Sequence, residues 1–88
     1  MNVKYKATFA KDLGSVKDKG LLGRIKRAIE QVEKAQTLQD ITNLGKLKGG
    51  KTYYRIRVGE YRIGLVIEGS TATFVRCLNR KDIYSRFP

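Results

Sequence analysis

The chemistry in this sequence is concentrated in three arginines set in two alternating runs. Tyr53-Tyr54-Arg55-Ile56-Arg57-Val58 and Tyr61-Arg62-Ile63-Gly64-Leu65-Val66-Ile67-Glu68 flank Gly59-Glu60. A two-residue turn with glycine first has the backbone freedom of a type II′ hairpin, so the stretch reads as two antiparallel strands. In that register Val58 faces Tyr61, Arg57 faces Arg62, Ile56 faces Ile63 and Tyr54 faces Leu65. One face is apolar, and the other carries Arg55, Arg57 and Arg62.

Directly opposed residues on neighbouring strands have Cβ atoms ~5 Å apart, and like charges so placed are destabilising. The nearest carboxylates in sequence are Glu60 in the turn and Glu68 at the far end. Guanidinium groups match phosphate oxygens bidentately and stay charged near neutral pH, so the cluster suits a phosphate guest. The plainer alternative is a solvated basic face on a basic protein.

Nineteen lysines and arginines against eight acidic residues give the 88-residue chain a net charge of +11. Such a balance points to a polyanion, with nucleic acid first and an anionic membrane surface as rival. The apolar runs are far shorter than the ~20 residues of a spanning helix, and no signal-peptide apolar region opens the chain. Cys77 has no partner for an intrachain disulfide, and the absence of histidine removes the commonest zinc ligand and the usual acid or base near neutral pH. We therefore expect one soluble cytoplasmic domain over residues 1–88, with no metal or other cofactor. Cys77, inside an apolar run, reads as a buried structural thiol.

The elements that must position the arginines follow from periodicity. Val3, Tyr5, Ala7 and Phe9 alternate with polar residues and predict an opening strand. Ala10 to Val16 suggests a short helix interrupted at Gly14. Leu22, Ile25, Ile29 and Val32 recur every three or four residues, which predicts an amphipathic helix from near Lys19 to Ala35 or Gln36. Thr37 to Lys51 has no sustained period; Ile41, Leu44 and Leu47 could pin it to the core. Lys46, Lys48 and Lys51 surround Gly49-Gly50 without the spacing of a nucleotide-binding loop, and so read as a positive lip to the arginine face. Gly69-Ser70 predicts a second tight turn into Thr71 to Leu78. A regular ladder there would place Arg76 opposite Ile63 on the apolar face, requiring either a snorkelling arginine or a bulge. The polar ending carries Ile83, Tyr84 and Phe87 at spacings compatible with a short helix or an anchored turn.

The run Leu47-Lys48-Gly49 to Tyr53-Tyr54-Arg55-Ile56-Arg57-Val58-Gly59-Glu60-Tyr61-Arg62-Ile63, followed by Arg80-Lys81-Asp82-Ile83-Tyr84, resembles the RelE/ParE toxin superfamily, on its RelE side. The resemblance covers nearly the whole chain. It implies an α+β, microbial-RNase-like fold in β-α-α-β-β-β order, with a small antiparallel sheet, helices on one face and a concave basic surface on the other. It further implies a toxin that cleaves messenger RNA in the ribosomal A site and is held inactive by a cognate antitoxin. The family's working residues would fall on Arg55, Arg57, Arg62, Arg80 and Tyr84.

RNA cleavage through the 2′-hydroxyl, which DNA lacks, would then be the reaction. Arg62 and Arg80 suit stabilisation of the phosphorane oxygens. Arg55 and Arg57, with Lys51 and Asn79, would hold the substrate, and Tyr84 would stack on a base or keep the strand in line. RelE itself carries lysine at the positions of Arg55 and Arg57, and relatives with the Arg-Lys-Asp-Ile-Tyr ending commonly carry histidine at that of Asn79, so the proton carriers the resemblance implies are missing here. The remaining bases are Lys51, Lys81, Tyr84 and the carboxylates of Glu60, Glu68 and Asp82; a cationic pocket lowers the pKa of a lysine or tyrosine, which makes Lys81 or Tyr84 the expected base. Two alternatives remain at this level: a ParE-like inhibitor of DNA gyrase, and an attenuated RNA-binding homologue.

Overall fold

A computed structural model of the chain describes residues 1–50 and 52–87. Strand β1 (Asn2–Tyr5) leads into helices α1 (Ala7–Gly14) and α2 (Lys19–Lys34). Strands β2 (Leu44–Lys46), β3 (Tyr53–Val58), β4 (Tyr61–Glu68) and β5 (Thr71–Asn79) follow, and the short helix α3 (Ile83–Arg86) closes the chain. The five strands form one sheet in the order β1-β5-β4-β3-β2.

The α+β fold with helices on one face is the expected one, but the sheet is mixed rather than antiparallel. Strands β2 to β5 form an antiparallel meander, but β1 runs parallel to β5, with Val3 opposite Ala72 and Tyr5 opposite Phe74. Helices α1 and α2 carry the chain from β1 across the sheet, so the meander returns at β5 in the direction of β1. The opening strand is also shorter than its alternation suggests. Phe9, Leu13 and Val16 sit at spacings of four and three, a helical stripe, and Phe9 is buried with its ring 5.4 Å from that of Phe74. Four alternating residues cannot by themselves distinguish a strand running into such a helix.

Helix α2 takes nearly the expected limits. Its N-cap is Asp18, whose carboxylate accepts the Leu21 N–H at 3.1 Å. Its buried side chains Leu21, Ile25 and Val32 pack with Phe9 against Ile56, Ile63, Leu65, Ile67 and Phe74 of the sheet. The strand-pairing rule thus names the correct core face of the hairpin.

The hairpin register is the expected one throughout, and Gly59 has φ +57°, as a II′ turn requires at its first position. The open question at Arg76 is settled by a bulge. Leu65 faces Phe74, but Gly64 faces Arg76 and Ile63 faces Cys77, so one extra residue on β5 restores an apolar partner to Ile63. Arg76 then meets Asp12 of α1, with Nε and Nη2 donating to the two carboxylate oxygens at 2.8 and 3.1 Å. Asp12 also accepts the Cys77 N–H at 2.9 Å, tying α1 to the bulge.

Candidate nucleic-acid site

The face opposite α1 and α2 carries the expected arginines; the side chains of Arg55 and Arg62 are held by different local devices, and Arg57 is fixed through its backbone. Asn43 adopts a left-handed conformation, φ 61°, just before β2. Its carbonyl accepts both the Arg57 N–H at 3.2 Å and Arg55 Nη1 at 2.8 Å. Gly45 stands opposite Arg55, and a Cβ there would lie 2.6 Å from the guanidinium carbon, so the arginine head lies flat on a glycine backbone. Arg57 faces Arg62 across the hairpin. Arg62 Nη1 donates to the Gly59 and Tyr61 carbonyls, both at 2.9 Å, which draws that guanidinium toward the turn.

Arg80 comes to the same end of the sheet from the β5 side. Its N–H donates to the Glu60 carbonyl at 2.8 Å, and its Nε lies 2.9 Å from Glu60 Oε2. Asn79 shapes this turn: its Oδ1 accepts the Lys81 N–H at 3.0 Å, leaving Lys81 exposed beside Arg80. Arg57, Arg62 and Arg80 therefore gather around the β3–β4 turn.

Tyr84 belongs to a second group. It borders a cleft of about 390 Å³ with Lys46, Lys48, Arg55 and Phe87, and the residue is 64% exposed. Arg55 lies about two strand rises, ~7 Å, from Arg57, so this cleft adjoins the turn cluster along the sheet. Lys51, expected to hold substrate, lies outside the described residues.

The open face is less bare than the sequence suggests. Leu47, Leu78, Ile83 and Phe87 form a small second core on it, packed by Tyr53, Val66 and Val75. The Phe87 ring lies over Gly64, where a Cβ would come within 2.7 Å, and meets Tyr53 edge to face at 5.8 Å. This packing anchors α3 and so fixes the backbone that presents Tyr84. A lone glycine inside an apolar strand signals such a close approach, and Gly64 was the available clue to Phe87.

Cys77 takes no part in this surface. It is buried, and burial, with the neighbouring Asp12 carboxylate second, pushes its thiol from 9.0 up to about 12. The raised value means that the neutral thiol is favoured by folding. Its contribution is fully present below about pH 9 and is lost as the pH rises through about 12. Urea midpoints of wild type and Cys77→Ala should therefore converge between pH 9 and 11, the wild type losing more; parallel curves would contradict the assignment.

A mixed five-stranded sheet with helices over one face and arginines on the other is the microbial-RNase-like architecture of the RelE and YoeB toxins. The chain is 45% identical to Toxin RelE3 of Methanocaldococcus jannaschii over the full length of both proteins. It superposes with a TM-score of 0.79 on a chain of the RelB-RelE antitoxin-toxin complex from Methanococcus jannaschii, at 43% identity over 97% of this chain and 99% of that one. The YoeB dimer of Staphylococcus aureus shares the fold at 19% identity, with a TM-score of 0.73 over 91% of this chain and 97% of that one. No family model matches the sequence. The protein belongs to the RelE toxin family.

Proposed function

We propose that this chain is the toxin of a toxin–antitoxin pair, acting in the cytoplasm as a ribosome-dependent endoribonuclease that cleaves messenger RNA in the A site. The observation that carries the reading is the gathering of Arg57, Arg62 and Arg80 at one end of the open face of a RelE fold, beside the cleft of Arg55 and Tyr84. Arg62 and Arg80 stabilise charge on the phosphorane, Arg55, Arg57, Lys51 and Asn79 hold the strand, and Lys81 and Tyr84 serve as proton carriers. Tyr84, being exposed beside cationic side chains, is suited to stack on a base; such stacking is worth ~1–3 kcal/mol.

The implied protein partner is an antitoxin resembling RelB. An acidic or amphipathic segment laid across the arginine face would neutralise the site and exclude RNA. Induced expression of the chain should arrest growth, and Arg80→Ala should relieve the arrest while leaving the thermal midpoint near that of wild type, because the Arg80–Glu60 pair is solvent-exposed. Undiminished arrest by a folded Arg80→Ala protein, or inhibition of gyrase supercoiling with messenger RNA intact, would count against the reading.

A further inference from the structure

RNA cleavage by 2′-hydroxyl attack needs a group that takes the hydroxyl proton, and arginine cannot serve. The sequence has eight carboxylates, and the structure divides them sharply. Asp12 is engaged by Arg76 and the Cys77 N–H, while Asp18 and Asp40 accept backbone N–H groups. Glu30 and Glu33 lie on α2 behind the sheet, and Glu68 ends β4 away from the hairpin turn. Asp82 borders a depression with Asp12, Asn79 and Arg86, beside α1.

Glu60 is the carboxylate that stands among the site arginines. Its Oε2 contacts Arg80 Nε at 2.9 Å, and Arg62 donates to the carbonyls of Gly59 and Tyr61 on either side of it. The contribution of this contact to folding is small, because 57% and 69% of the two side chains are exposed to solvent. A negative charge here also repels a phosphate. A carboxylate that adds little to the fold and opposes binding is accounted for by a task in the reaction itself.

We propose that Glu60 is the general base, a catalytic residue that accepts the proton of the attacking 2′-hydroxyl. The inference rests on the ribonuclease reading and supplies its proton acceptor, leaving Lys81 and Tyr84 to the leaving-group side. Glu60 Oε2 faces Arg80, and Oε1 receives the proton as the 2′-oxygen bonds to phosphorus. The bond from phosphorus to the 5′-oxygen breaks, and that oxygen takes a proton from Lys81 or Tyr84. The products are a 2′,3′-cyclic phosphate and a 5′-hydroxyl. The exposed Glu60 then releases its proton to water.

The test is single-turnover cleavage of a defined messenger RNA on programmed ribosomes, by wild type, Glu60→Gln and Glu60→Ala. Each substrate is made with an ordinary 5′-oxygen and with a 5′-bridging sulfur at the scissile linkage. Gln keeps an acceptor for Arg80 but cannot take a proton under these conditions. Both variants should be slower by about a hundredfold or more with unchanged thermal midpoints. Sulfur, a better leaving atom, should restore Lys81→Ala or Tyr84→Phe but not Glu60→Gln. A Glu60→Gln rate within about threefold of wild type would overturn the proposal. So would rescue of that variant by sulfur, which would make Glu60 the acid. Failure of wild type to cut would instead remove the ribonuclease reading, and the base with it.

Discussion

Arg62→Ala should lower the rate of A-site cleavage by roughly 10²–10³-fold, the usual loss when one preorganised donor to a developing oxyanion is removed. The size follows from how the side chain is held. Its Nη1 is anchored by the Gly59 and Tyr61 carbonyls, leaving other guanidinium hydrogens for a phosphate. Stability should change little, since each lost hydrogen bond to these partly exposed carbonyls is worth only ~1 kcal/mol. Single-turnover kinetics with a parallel thermal melt separates the two effects. An unchanged rate would remove Arg62 from the reacting centre. Arg55→Ala should differ in kind, weakening binding and flattening its salt dependence more than it slows the bound complex.

Phe87→Ala should be the most damaging truncation outside the main core. The ring is buried over Gly64 and against Tyr53, and Phe to Ala in such a site costs ~3–5 kcal/mol. In a domain of this size that is a large share of a total stability of ~5–15 kcal/mol. Because Phe87 also anchors α3, the loss should carry to function through Tyr84, which shares the cleft with it. Urea unfolding gives the first effect. Activity compared at a temperature where the variant is still folded gives the second. Gly64→Ala should act in the same direction, since its Cβ would displace the same ring.

How far the sequence predicts this arrangement depends on the range of the interactions involved. The central hairpin is legible because its register is set locally by Gly59 and by the two-residue period, and each expected pair is found. Helix α2 is legible because four turns of apolar spacing leave little ambiguity. Strand β2 has three residues, too few to show a period, and its place is set by pairing with β3. The parallel partnership of β1 and β5 joins the two ends of the chain, and no local pattern encodes it. The Arg76 problem could be posed from the sequence because an arginine conflicts with an apolar face. Its resolution required Asp12, 64 residues away.

The candidate site divides in the same way. Arg55, Arg57 and Arg62 stand out because like charges are opposed or adjacent on one strand face. Arg80 stands out as part of a charged run, but nothing local shows that the end of β5 returns to the hairpin turn, and Tyr84 joins the site only through the family resemblance. The contact that makes this visible is Arg80 with Glu60. Glu60 is legible in the sequence as a turn carboxylate near the arginines and one of several candidate bases; its contact with Arg80 is what the fold adds. Lys46 and Lys48 were expected as a positive lip, and they border the cleft as such.

The proposed activity is cleavage, at this surface, of messenger RNA held by the ribosome. Primer extension on a defined messenger RNA in a reconstituted translation system tests it directly, with protein added or withheld and ribosomes present or omitted. New 3′ ends are expected within A-site codons when protein and ribosomes are both present, and none when ribosomes are absent. An intact message on ribosomes, under conditions where the purified chain is folded and still halts growth, would contradict it.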